Sequence, residues 1–173
     1  MSTILANTKH TAHAVCDGYE RWEMDAVMAP RAHDCIHHLG PKSLARPLRN
    51  NEQYRAYFHT VQTLFQDFKI EVADQVFDEG QKKAALHVFG SATSPVGKYE
   101  QEYTWFLTFS EDGTKVKRME EMIDSAYLAE FFKRLNHYVE VGGGQGEAWA
   151  DSVRAAYKES GGKAQIDHSK EEE

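Results

Sequence analysis

The stretch from Lys98 to Asp124 constrains this chain most, because it alternates polar and apolar residues over the length of two strands. Side chains alternate across a strand, so Tyr99, Gln101, Tyr103, Trp105, Leu107 and Phe109 share one face, which grades from polar aromatic to purely apolar. Asp112-Gly113 between the two runs tolerates the positive φ of a tight turn, and the pattern predicts a hairpin of 98–110 with 114–124. On the second strand Met119, Glu121 and Ile123 share a face. That sets a carboxylate between two large apolar neighbours, where it is either a wasted cost or a working acid–base group.

Helical and strand periods alternate along the rest of the chain. Ala12, Val15, Cys16, Tyr19 and Trp22 recur at three and four residues, which predicts a helix over 4–22 with one buried stripe. One further turn at Asp25–Met28 is ended by Pro30, and Arg31–His38 reads as a short strand closed by Gly40-Pro41. The stretch 42–49 has no period and is expected to be a loop. Asn50 and Gln53 form a capping box for a helix whose buried stripe runs Tyr54, Tyr57, Phe58, Val61, Leu64, Phe65. The period then falls to two: Phe68, Ile70, Val72 and Val76 are expected on one face of a strand. Leu86 and Val88 share one face of the next strand, with Ala85, His87 and Phe89 on the other, and Pro95-Val96-Gly97 turns the chain into the hairpin. Ser125 is expected to cap a last helix with Leu128, Phe131, Phe132, Leu135, Tyr138 and Val139 buried. From Gly142 the character changes to a glycine linker and a polar tail with a marginal helical patch at Trp149, Val153 and Tyr157. That end reads as mobile, or as a lid.

Helices followed by a meander, with one strand and one helix inserted, make an α+β domain of residues 1–141. Long twisted strands curl around the helices as a cone whose open end is a pocket. The 173 residues suffice for one such domain, and the net charge of −7 with no basic stripe argues against nucleic acid. No apolar run approaches the ~20 residues of a membrane span. With two cysteines, Cys16 and Cys35, and no signal-peptide pattern, the expectation is a reduced, cytoplasmic protein.

Four patches carry a resemblance to a known family: Arg31 to His37, Asn50-Asn51 with Tyr54-Arg55, Gly97 to Tyr103, and Arg118 to Tyr127 running into Phe131-Phe132. In order and spacing they resemble the cone fold of the nuclear transport factor and the SnoaL-like cyclases. More narrowly, they resemble the fungal SnoaL-like isomerases of meroterpenoid and alkaloid biosynthesis. The resemblance implies a cofactor-free isomerase or cyclase acting on a polycyclic small molecule, and a homodimer formed through the outer face of the sheet. It also implies that Arg31, Tyr99, Tyr103 and Glu121 line the cavity, with His37 or His33 on the same face as alternatives to Arg31.

On this reading Glu121 takes and returns a proton, Tyr103 and Arg31 stabilise developing oxyanion character, and His37 relays. Tyr99, Trp105, Leu107, Met119 and Ile123 shape the substrate pocket. Tyr99 and Tyr103 are about 13 Å apart along a strand, so their roles are expected to differ. The cluster His33, Asp34, Cys35, His37, His38 invites zinc, but His33 and His37 are about as far apart and His37 and His38 point to opposite faces; no metal is expected. Two other readings stay open. An epoxide hydrolase of the same fold would need paired carboxylates, and a non-catalytic binding module would be packed shut beside Glu121.

Overall fold

The structure, a computed structural model, describes residues 2–140, with the side chains described through residue 138. The linker and tail read from Gly142 onward lie outside the described residues. In chain order the elements are α1 (Thr3–Arg21), α2 (Met24–Met28), β1 (Arg31–Gly40), a 3₁₀ turn (Lys42–Leu44), α3 (Asn51–Gln62), β2 (Gln66–Asp78), β3 (Lys83–Ser94), β4 (Gly97–Phe109), β5 (Val116–Ile123) and α4 (Ser125–Glu140). The five strands form one sheet in the order β1-β5-β4-β3-β2. β2 to β5 are an antiparallel meander, and β1 adds to β5 in parallel.

The period-two face of β4 is the floor of the core: Tyr99, Gln101, Tyr103, Trp105, Leu107 and Phe109 are all buried. Leu86 and Val88 of β3 and Val116 and Met119 of β5 extend it, and α1 packs its Ala12, Val15, Cys16 and Tyr19 stripe against it. Gly18 lets α1 touch α2, since a Cβ there would stand 2.7 Å from the Ala26 carbonyl oxygen. A second cluster joins Leu64, Phe65 and Phe68 to Tyr99, Phe131 and Leu135, and so seats α4 over the start of β4. Trp22 links the two clusters, stacked 4.0 Å over Phe68 while its indole N–H donates to the Gln62 carbonyl at the end of α3. Cys16 and Cys35 are both free thiols. No helix among the described residues is long and apolar enough to cross a membrane.

Four local expectations are corrected. The hairpin turn is a wider loop, 110–115, because the Asp112 carboxylate accepts from Ser110 Oγ and from Thr114 N and Oγ1, while Gly113 alone takes a positive φ of 75°. In β2 the register slips between Val72 and Asp74, and this bulge turns Val76 outward, 62% exposed, and sets Phe77 against the core instead. Asp124, not Ser125, caps α4: its Oδ1 accepts from the N–H groups of Ala126 and Tyr127. The stretch 42–49 begins with the 3₁₀ turn, preceded by a cis Gly40-Pro41 bond, and ends in a bridge from Arg49 to His37.

Candidate active site

Glu121 sits on β5 directly opposite Trp105 of β4 and Leu39 of β1, so its side chain enters the core face between two flanking strands. It is 9% exposed. Each carboxylate oxygen has its own partner: the Trp105 indole N–H donates to Oε1 at 3.2 Å, and His37 Nε2 lies 3.1 Å from Oε2. His37 is fully buried, and burial holds its pKa below the ordinary 6.5 even though Glu121 pulls the other way. Its Nδ1 lies 3.4 Å from Arg31 Nη1, which can only donate, so the neutral ring carries its hydrogen on Nε2 and gives it to Glu121. The carboxylate therefore receives two N–H donors and faces the cavity as an acceptor.

Arg31 is placed by the backbone that precedes this pair. Between Arg31 and Ile36 the ladder with β5 is interrupted by a bulge. Asn51, at the start of α3, holds it: its Nδ2 donates to the Ala32 and His33 carbonyls, and its Oδ1 accepts from Arg31 Nε at 2.9 Å. The guanidinium lies 4.3 Å over the Tyr54 ring, which also stacks on His37 at 4.3 Å. Arg31, His37 and Tyr54 are thus one layered unit behind Glu121. His33 points away, its side chain 97% exposed, and so cannot stand in for Arg31.

A cavity of about 360 Å³ opens in front of Glu121, within the range of small-molecule sites. Tyr99, Tyr103, Trp105 and Ile123 line it as expected from the sequence, joined by Tyr19, Tyr54 and Tyr57, by Trp22, and by apolar residues of α3 and α4 such as Val61, Leu128 and Phe132. Leu107 and Met119, expected on its wall, are packed into the closed end instead, and Arg31 and His37 stand behind the wall rather than on it. The expected separation of Tyr99 from Tyr103 is also corrected. Their rings lean together so that the two hydroxyls lie 2.9 Å apart. One of the two O–H hydrogens is spent on that mutual bond, and the pair offers the other to a ligand. Tyr19 and Tyr54 form a similar pair at 2.5 Å.

Burial is the first cause that raises the pKa of Tyr19, Tyr54, Tyr57, Tyr99 and Tyr103, and the Glu121 charge raises each further; Tyr57 goes up to about 12. All five remain neutral donors at ordinary pH. Tyr19, Tyr54, Tyr57 and Asn51 were assigned no role in the sequence, although tyrosines in the buried stripe of α3, where leucine would pack as well, were a usable signal. Among the described residues no cluster of three His, Cys, Asp or Glu could hold a metal ion.

No family model matches the chain. A monooxygenase of Aspergillus novofumigatus, nsrQ, is 31% identical over 129 residues, which is 75% of this chain and 85% of that protein. The solved structure of BvnE pinacolase from Penicillium brevicompactum superposes with a TM-score of 0.75 at 28% identity, over 78% of this chain and 97% of that one. A SnoaL-like polyketide cyclase from Jannaschia, 10% identical with a TM-score of 0.62 over 75% of this chain and 93% of its own, shares the fold. The chain belongs to the family of nsrQ, and its fold is the SnoaL-like cone. The cone fold accounts for the layout above: a carboxylate on the second strand in from the edge of a curved sheet, under a mouth formed by α3 and α4.

Proposed function

We propose that the protein is an isomerase or cyclase that rearranges a polycyclic secondary-metabolite intermediate by proton transfer, without a cofactor. The observation that carries this reading is Glu121: among the described residues it is the one carboxylate on the wall of a mostly apolar and aromatic cavity, with both oxygens held by N–H donors. A carboxylate fixed in this way can take a proton from a substrate hydroxyl or an activated C–H and return it at another atom, which is the whole requirement of a rearrangement that leaves the mass unchanged. The Tyr99–Tyr103 pair supplies the hydrogen bond to an oxygen that becomes anionic, and does so where water is largely excluded. Arg31 and His37 act as positioning residues: His37 hands its N–H to Glu121, and Arg31 fixes the tautomer that makes this possible. The name of BvnE pinacolase, a rearrangement catalyst by that name, supports the reading.

A second reading takes its support from nsrQ, which is named a monooxygenase. Proton abstraction by Glu121 would begin that reaction too, by turning a phenol or enol into an electron-rich anion. The epoxide-hydrolase reading loses ground, since the neighbouring carboxylates are engaged elsewhere: Glu120 pairs with Arg118, and Asp124 is committed to capping α4. A cavity beside Glu121 counts against a closed, non-catalytic module. We further propose a cytoplasmic homodimer. The outer sheet face exposes Val76, Phe89, Phe106 and Met122, apolar area that a second copy would cover.

The test is to incubate the purified protein with extracts of a producing strain that lacks it, and to follow which compound is consumed. A product of unchanged mass is expected; a gain of one oxygen atom with uptake of O₂ would replace isomerisation by oxygenation. Glu121→Gln should keep the fold by circular dichroism and lower turnover by at least ~10²-fold. Full activity in that variant would remove Glu121 from the chemistry.

A further inference from the structure

The cavity wall carries a second charged group, to which the proton-transfer reading gives no task. Arg46 lies between the 3₁₀ turn and the bridge at Arg49, and its side chain reaches the cavity. The loop that carries it is pinned at both ends. Ala45 is left-handed with φ 49°, and Arg49 exchanges two backbone hydrogen bonds with His37 at 2.8 and 2.9 Å. Arg46 Nε is enclosed without a hydrogen-bond partner. Among the described residues no carboxylate bears on the guanidinium: the neighbours that act on it electrostatically are the Tyr57 phenol and a second cation, Arg49, whose own guanidinium lies 4.3 Å over the Tyr57 ring. An arginine keeps its charge under such conditions, so two cations have been gathered around one tyrosine at a partly desolvated place.

Glu121 is not a partner of Arg46: its oxygens make their contacts with Trp105 and His37. The remaining wall is apolar or aromatic apart from the Thr60 hydroxyl, which is spent on the Ala56 carbonyl. An enclosed guanidinium donor without an acceptor is a cost that a bound anion would remove, and the planar fork of arginine matches a carboxylate.

We propose that Arg46 is the anion anchor of this cavity and that its ligand is an acidic polycycle, whose carboxylate sits on Arg46 while the ring system lies against Val61, Leu128 and Phe132. Arg46 then selects the substrate and sets its orientation relative to Glu121. This rests on the proton-transfer reading only in taking the cavity for the substrate site.

The probes are 2-naphthoate and its neutral methyl ester, titrated calorimetrically into the full-length protein at low and high salt. The carboxylate should bind more tightly than the ester, and should lose that advantage as salt is raised. Arg46→Met should weaken the carboxylate by on the order of ten-fold while leaving the ester within about two-fold, as expected for loss of a charge-assisted hydrogen bond. Arg46→Lys should restore part of the loss, and Glu121→Gln should leave the preference in place. Equal affinity for acid and ester in the unaltered protein, equal weakening of both by Arg46→Met, or no binding of either overturns the anchor. A lost preference with Glu121→Gln still inactive removes the anchor alone. A retained preference with Glu121→Gln fully active removes the acid–base reading alone.

Discussion

Replacing His37 by glutamine should flatten the acid side of the protein's stability profile. His37 is folded as the neutral ring, with a pKa held below 6.5 by burial. The unfolded chain therefore binds a proton there at pH values where the folded chain does not. Stability contributed by the neutral ring is present above about pH 6.5 and is lost as pH falls below it, until the folded ring also protonates at its lower value. One proton bound only by the unfolded state costs roughly 1 kcal/mol for each pH unit in that window. The glutamine amide can still donate to Glu121 and accept from Arg31, but it does not titrate. Urea denaturation of both proteins at about pH 7.5 and about pH 5.5 measures the effect, and the unaltered protein should lose more stability than the variant, by up to roughly 1 kcal/mol. The fixed cost of removing a ring stacked 4.3 Å from Tyr54 cancels in this difference of differences. A loss equal in the two proteins to within ~0.3 kcal/mol would refute the neutral-ring assignment, and with it the donation to Glu121.

Tyr99→Phe and Tyr103→Phe should each lower kcat by ~10²-fold, and the double variant should be no worse than the poorer single one, because the two hydroxyls act as one donor; multiplicative losses would show separate roles. Phe106→Asp should make the protein monomeric in light scattering at micromolar concentration with the fold retained, since Phe106 is 46% exposed on the outer sheet face; an unchanged mass would place any dimer contact elsewhere.

Much of the fold was legible because it is written in local periods. The β4 face from Tyr99 to Phe109 is buried residue for residue, and the Asn50–Gln53 capping box forms as read. What escaped depends on geometry that no short window contains. The bulge near Ala73 inverts the faces beyond it, so an uninterrupted period of two misplaced Val76. The Tyr99 and Tyr103 hydroxyls meet because the rings lean together, whereas spacing along an ideal strand kept them apart. Glu121 and its neighbours Met119 and Ile123 could be picked out from alternation alone. The layer behind Glu121 could not, since Arg31, His37, Asn51 and Tyr54 come together only through the parallel pairing of β1 with β5 and the packing of α3 on β1. Arg46 gave no signal at all, lying in a stretch without a period.

The parallel ladder of β1 with β5 has a consequence for the order of events in folding. It joins the first described strand to the last, and the His37–Glu121 contact it creates spans 84 positions. Closing so long a segment is entropically unfavourable until the intervening meander has condensed. A half-made molecule with a sound β2–β4 sheet still has no backed carboxylate: the layer behind Glu121 is completed by the final seam.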